Sequence, residues 1–293
     1  MRLAIFGRKI DSSSYDKLEL LIKKLSEYKD VEFFYNNILF NLLNIYMPHL
    51  QKGILFSNYE ELPSDIDLFL VLGGDGTFLE SITWLRGREI PVAGINFGRL
   101  GFLTTAKVEE DNSWIEKLLN GDYVVEDRAL LQLSKCSMPN DFYPYALNEI
   151  TVQRTTSIML EIEVKVDGNA LPKYFADGVV VATSTGSTAY SLSIGGPIVS
   201  PKAEVFIMAP IAPHNLNVRP LVIPNISVIE ISYKTRDGIA NVSVDNRCFP
   251  LPKGEVITIS KANSVLKRVS INNNFIGALN EKLLWGADKR NSY

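Results

Sequence analysis

The chain has 293 residues, of which 46% are hydrophobic and 22% charged, with a net charge of −3. That length accommodates two domains with ordinary cores, and the composition is that of a folded protein without low-complexity blocks or short repeats. Basic residues are dispersed among acids, as at Lys23, Lys24 and Glu27, which excludes the basic excess or stripe of a nucleic-acid binder.

In chain order, Leu3 to Phe6 reads as a buried strand followed by Gly7. This opening lacks the layout of a signal peptide, and a cytoplasmic protein is expected. Ser13 with Asp16 resembles a capping box, and Leu18, Leu21, Ile22 and Leu25 fall at helical spacing. Val31 to Tyr35 reads as a strand, and a helix through Leu42, Leu43 and Tyr46 ends at Pro48. Ile66 to Leu72 is an apolar strand running into Gly73-Gly74-Asp75-Gly76-Thr77, with Phe78, Leu79, Ile82 and Leu85 at helical spacing after it. Pro91 to Ile95 is the next strand. Alternation of this kind predicts an α/β domain with a mainly parallel sheet over residues 1–122.

After a helical patch at Trp114 to Leu119 the signals become strands. Met159 to Val166 alternates apolar and polar residues before an Asp167-Gly168 turn. Val228 to Tyr233 repeats the theme with Asp237-Gly238. Residues 123–278 are therefore expected to form a β-rich, sandwich-like domain. A helical tail from Leu279 to Trp285 is expected to return to the first domain, so that 279–293 packs there.

The two cysteines, Cys136 and Cys248, and the two histidines, His49 and His214, are isolated in sequence. No disulfide framework, metal spacing or Ser-His-Asp arrangement is indicated, and both thiols are expected to be free and at least half-buried. Gly178 to Pro201 carries no charge, but its Thr, Ser and Gly content is wrong for a membrane span.

Three segments carry chemistry. Gly73-Gly74-Asp75-Gly76-Thr77 stands at the carboxyl end of an apolar strand, where open α/β sheets bind ligands. Its glycines let backbone approach a phosphate, and the helix start, placed at Phe78, offers N–H groups to an anion. An acid inside such a loop is useful for binding Mg²⁺ or for accepting a proton from an attacking hydroxyl. A plain strand-to-helix turn capped by Asp75 is the bland alternative. There is no Gly-Lys-Ser/Thr sequence and no G-x-G-x-x-G after a strand, so a Walker loop and a hydride-transfer fingerprint are excluded. Second, a strand at Val179 to Ala182 enters a loop whose Thr183, Thr185, Ser187, Thr188 and Tyr190 suit a nucleotide's base, sugar and phosphates. Third, Asn148-Glu149 interrupts an apolar run from Ala146 to Val152. Adjacent strand residues face opposite ways, so one polar side chain there needs a partner or a ligand.

With these motifs in this order, the chain resembles the NAD kinase family. The likeness rests on Gly73 to Thr77, Asn96 to Thr104, Leu147-Asn148-Glu149, Asp177-Gly178, Thr183 to Pro197, Pro213-His214 and Arg219-Pro220, spanning roughly Leu68 to Asp245. The resemblance implies transfer of the γ-phosphoryl of ATP to the adenosine ribose 2′-hydroxyl of NAD, giving NADP. It implies Asp75 as general base, Gly73, Gly74, Gly76 and Thr77 as the phosphate loop, and Asp75 and Gly76 at the dinucleotide. Asn148 and Glu149 would hold sugar and nicotinamide-side groups, while Asp177, Thr188, Ala189, Tyr190, Ser191, Leu192 and Ser193 would line the NAD pocket. A divalent cation such as Mg²⁺ would come with ATP, without a dedicated protein ligand cluster. A homodimer or homotetramer is implied, formed through the β-rich domain, with no nucleic-acid or membrane partner. Two positions depart from the family pattern: Glu80, where relatives often carry a basic residue, and Asp245-Asn246-Arg247, where many read Asp-Gly-Gln. Alternatives are a lipid or other hydroxyl kinase sharing the Gly73–Thr77 loop, and a dinucleotide sensor without turnover.

Overall fold

The computed structural model describes residues 1–8, 10–48, 53–98, 101–108, 113–236, 239–271 and 275–283. The chain forms two compact units, one of Met1–Asp127 with the chain from Lys267 onward, the other of Arg128–Leu266.

In the first unit, β1 (Arg2–Gly7), β2 (Glu32–Asn36), β3 (Ile54–Phe56), β4 (Leu68–Leu72) and β5 (Val92–Asn96) pair in parallel in the order β5-β4-β1-β2-β3. The short β6 (Ala106–Lys107) adds to β5. Helices α1 (Tyr15–Ser26), α2 (Asn37–Tyr46) and α3 (Asp75–Leu85) make the crossovers, and α4 (Trp114–Leu119) follows β6. All five residues of β4 are buried, as a parallel strand covered on both faces requires. Leu18, Leu21, Ile22 and Leu25 of α1 are buried at the spacing read from the sequence. Each such side chain removed from water stabilises the fold by about 1.5–3 kcal/mol. The capping box does not form: Ser12–Ser14 is a 3₁₀ turn, and Ser14, which caps α1, makes no side-chain cap bond.

The strand order decides where a ligand goes. From β1 the sheet grows through β2 and β3 on one side, then through β4 and β5 on the other. The switch point lies between β1 and β4, and open α/β sheets bind ligands beyond the strand carboxyl ends at such a point. Gly7 pairs with Leu72, so Arg8 and Gly73 leave adjacent strands together.

The second unit is a sandwich. One layer is antiparallel, of β9 (Glu149–Arg154), β13 (Gly178–Thr183), β14 (Val205–Ile211), β15 (Leu221–Pro224), β17 (Ala240–Val244) and β18 (Arg247–Leu251), in the order β15-β14-β13-β9-β17-β18. The other contains β7 (Val124–Ser134), β8 (Tyr145–Ala146), β10 (Leu160–Val166), β11 (Asn169–Ala170), β12 (Tyr174–Ala176), β16 (Ile229–Lys234) and β19 (Val256–Ser270). Their shared core joins Leu131, Ile162, Val164, Ile231 and Ile257 to Ile150, Val152, Val179, Val181, Phe206 and Val242. Asp167 and Gly168 take positive φ (50° and 79°) in the two-residue turn between β10 and β11, which is what that turn type demands. The Asp237-Gly238 turn lies outside the described residues.

The division between units falls inside β7, at 127/128, and inside β19, at 266/267, whereas the sequence reading drew it at 122/123 and 278/279. A strand that continues past a domain border leaves no composition change to mark it. Helix α6 (Phe275–Leu283) belongs to the first unit; residues 284–293 lie outside the described residues. Cys136 is half-buried and Cys248 exposed, so the second thiol is more open than expected. Among the described residues no helix is long and apolar enough to cross a membrane, and the uncharged 178–201 stretch holds β13 and one-turn helices instead.

Candidate active site

At the switch point of the first unit, helix α3 begins at Asp75, three residues earlier than the sequence indicated. No side chain caps it, and the first bond back into the turn is from Phe78 N–H to the Gly74 carbonyl (3.0 Å). The N–H groups of Asp75, Gly76 and Thr77 therefore have no intrahelical acceptor, and the helix dipole adds to their pull on an anion. Gly73 has φ +153°, and a Cβ there would lie 2.5 Å from Thr77 Oγ1, so only glycine lets the chain fold back onto its own helix.

The Asp75 carboxylate is aimed by its surroundings. Its Oδ2 accepts the Phe102 N–H (2.8 Å) and its Oδ1 the Leu103 N–H (3.1 Å). The loop that makes these bonds is held in turn. Gly101 N–H donates to Thr104 Oγ1 (2.6 Å), and the Arg268 guanidinium donates to the carbonyls of Leu103 (2.8 Å) and Thr104 (3.1 Å) and to Glu126 (2.8 Å). Each carboxylate oxygen retains a lone pair for a further donor. Asn96, at the end of β5, accepts the Gly98 N–H (3.0 Å); Arg99 and Leu100 of that motif lie outside the described residues. Glu80 pairs with Arg8 (3.0 Å), and burial raises its pKa against the pull of that guanidinium.

A second cluster lies in the other unit. Asn148 and Glu149 do not sit within one continuous strand: β8 ends at Ala146 and β9 starts at Glu149. The break is filled by the side chain of Asp245 from the β17–β18 turn. Fully buried, it accepts the N–H groups of Leu147 (2.9 Å), Asn148 (2.8 Å) and Glu149 (3.2 Å). Arg247, two residues on, donates to the carbonyls of Tyr143 (2.5 Å) and Tyr145 (2.7 Å). One hairpin tip thus grips both flanks of β8. Arg247 uses its guanidinium on the chain's own backbone.

The Thr183–Ser193 segment closes onto the same break. Thr183 N–H donates to the Asn148 carbonyl (2.9 Å) and Thr183 Oγ1 to the Leu147 carbonyl (2.5 Å). Thr185–Thr188 forms a 3₁₀ turn and α5 (Tyr190–Ser193) a single helical turn. Thr188, Ala189, Tyr190, Ser191, Leu192 and Ser193 are thereby brought to Asn148 and Glu149. Two buried polar atoms of this cluster, Glu149 Oε2 and Ser191 Oγ, have no hydrogen-bond partner. Such atoms carry a cost that a bound polar ligand relieves. Asp177 is not part of the cluster. It precedes Gly178, which pairs with Gln153, while Ala182 pairs with Glu149. Five strand steps place it about 16 Å away along β13, with its carboxylate on Arg154 (2.8 Å).

Burial, with a further contribution from the neighbouring Asp245, pushes the pKa of Glu149 up to about 8 against the opposing Tyr190 main chain. Burial also raises that of Asp245, against its three backbone donors and Arg247. The folded protein thus holds a proton on Glu149 that the unfolded chain releases near the ordinary carboxylate value, so stability falls as pH rises from that value through about 8. The Glu149→Gln variant should lose this part of the decline, and its melting temperature should exceed that of the native protein increasingly toward pH 9. Thermal denaturation across pH 5 to 9 checks it; parallel profiles would show that Glu149 is ionised in the folded state at neutral pH.

The fold and the glycine-rich turn define a nucleotide-binding protein of the open α/β kind, here with a β-sandwich as second unit. Family models described as ATP-NAD kinase N-terminal domain and ATP-NAD kinase C-terminal domain match residues 56–123 and 147–271. An NAD kinase of Christiangramia forsetii is 37% identical over 99% of this chain and 100% of its own length. One from Flavobacterium psychrophilum is 41% identical over 80% of this chain and 82% of its own. Among solved structures, yeast NADH kinase complexed with NADH superposes with a TM-score of 0.88 at 27% identity, covering 100% of this chain and 90% of that one. An Archaeoglobus fulgidus NAD kinase in complex with ATP gives 0.74 at 30% identity, covering 97% and 99%. The chain belongs to the NAD kinase family.

Proposed function

We infer that this protein transfers the γ-phosphoryl group of ATP to the 2′-hydroxyl of the adenosine ribose of NAD, giving NADP. The observation that carries this is the Asp75 carboxylate, held by two backbone N–H groups in the first turn of an uncapped helix at the switch point of a parallel sheet. The similar yeast and archaeal structures, bound to NADH and to ATP, support both nucleotides as ligands. In this reading the main-chain N–H groups after Gly73 and Gly74 hold phosphate, and Thr77 closes the turn. Asp75 takes the proton of the attacking hydroxyl as the O–P bond forms and the bond to the leaving diphosphate breaks. Placement in line and stabilisation of spread negative charge do most of the work. Asn148 and a protonated Glu149, able to donate as well as accept, hold sugar and nicotinamide-side groups. Thr188 to Ser193 line that pocket.

No group of three or more His, Cys, Asp or Glu side chains among the described residues could hold a metal ion. The divalent cation is therefore proposed to arrive with ATP as part of the donor, and no step is assigned to a protein-held metal. A cytoplasmic homodimer or homotetramer is the assembly we propose. Asp177, at the far end of β13, joins the pocket of Asn148 and Glu149 only across copies, and otherwise serves its own ion pair with Arg154.

Incubation of the purified protein with ATP, Mg²⁺ and NAD should yield NADP, detected with an NADP-specific dehydrogenase. Phosphorylation of diacylglycerol or sphingosine instead would favour the lipid-kinase reading. Binding of NAD without any product would favour the sensor.

A further inference from the structure

Phosphoryl transfer needs positive charge placed in advance where negative charge will spread. At the carboxyl end of the first unit's sheet, Arg8 is held by Glu80 (3.0 Å) and Lys17 donates to the Phe97 carbonyl (3.3 Å). A third cation comes from α6. The Lys282 ammonium stands 3.9 Å from Asp75 Oδ2 and 4.1 Å from the centre of the Phe102 ring, on a side chain only 19% exposed.

Three features set this lysine apart from an ordinary surface ion pair. Its distance from Asp75 is beyond hydrogen-bond range, and both carboxylate oxygens already accept backbone N–H groups, so the carboxylate is oriented without it. Its charge rests on the face of Phe102, a residue of the loop that orients Asp75, an electrostatic contact of cation with aromatic ring that holds the ammonium beside the site. Its long flexible stem carries rotatable donors that can be re-aimed.

We propose that Lys282 is a catalytic residue of the phosphoryl transfer, its ammonium turning from the flank of Asp75 to the oxygens of the group in flight. The proposal rests on the phosphotransferase reading above. The 2′-hydroxyl proton passes to Asp75, the new O–P bond forms, and the electron pair of the broken bond leaves with ADP. Lys282 exchanges no proton and contributes charge alone.

The test is steady-state kinetics of NADP formation by Lys282→Met and Lys282→Arg. For Lys282→Met, kcat should fall about 10²–10³-fold, the loss seen when one preorganised donor is removed. KM for NAD and the melting temperature should stay near native values, and Lys282→Arg should recover part of the rate. A second arm covers poor folding of the Met variant. In a Cys136→Ser, Cys248→Ser background, Lys282→Cys should be slow, and aminoethylation of its thiol with bromoethylamine should restore turnover in the same folded protein. Native kcat in Lys282→Met, or aminoethylation without recovery, overturns the assignment while a native protein that makes NADP keeps the kinase reading. A native protein that makes no NADP takes both down.

Discussion

Asp75→Asn should lower turnover about 10²–10⁴-fold, the usual contribution of a positioned base, while the protein stays folded. The amide is close in shape and cannot take a proton. It also has one acceptor oxygen where the carboxylate has two, and two backbone donors compete for it, from Phe102 and Leu103. The variant should therefore loosen the 101–104 loop at a stability cost of about 1 kcal/mol, modest because the side chain is partly solvated. Rate and stability should part company: kcat falls steeply, melting temperature only slightly, and NAD still binds when followed by calorimetry. Near-native kcat in the folded variant would remove Asp75 from the chemistry and leave it the loop-holding role that its hydrogen bonds already give it.

Gly186→Ala should act through sterics. A Cβ at Gly186 would overlap the Asn148 carbonyl oxygen and lie 2.6 Å and 2.8 Å from its carbonyl carbon and Cα. The obstacle is backbone, and that backbone is tied on both sides. Asn148 N–H is held by Asp245 and its carbonyl by Thr183. Overpacking of this kind costs about 1–3 kcal/mol, and the displaced turn carries Thr188 to Ser193 away from Glu149. A displacement near 1 Å can cost about 10² in rate, so kcat/KM for NAD should fall by that order. Unchanged stability and unchanged KM for NAD would mean that the two segments do not meet as described.

What the sequence revealed and what it hid divide by distance along the chain. The apolar run of β4 flush against Gly73-Gly74-Asp75 announced both the strand and the ligand turn, because every determinant is local. The start of α3 was misplaced because Asp and Gly are poor helix formers, and here tertiary context carries the helix back to Asp75. Asn148-Glu149 was noticed as polar residues in an apolar run. The reason for the break, Asp245, stands nearly a hundred residues later, and nothing in a single sequence joins them. Arg268 and Lys282, which reach the Asp75 loop from still farther, left no signal at all. Asp177 was placed with Thr188 by the family resemblance alone, and within one chain the strand between them, at about 3.3 Å per residue, holds them apart.

The discontinuity of the first unit bears on how a nascent chain matures. Met1–Asp127 is translated before the sandwich, whereas Arg268, which fixes the carbonyls of Leu103 and Thr104, is translated after it. The loop that aims Asp75 thus waits for the whole sandwich to be synthesised before its final anchor arrives. Competence for chemistry therefore follows synthesis of the sandwich, and a translation product that stops before Arg268 carries the complete Gly73–Thr77 turn while the loop that orients its carboxylate lacks this anchor.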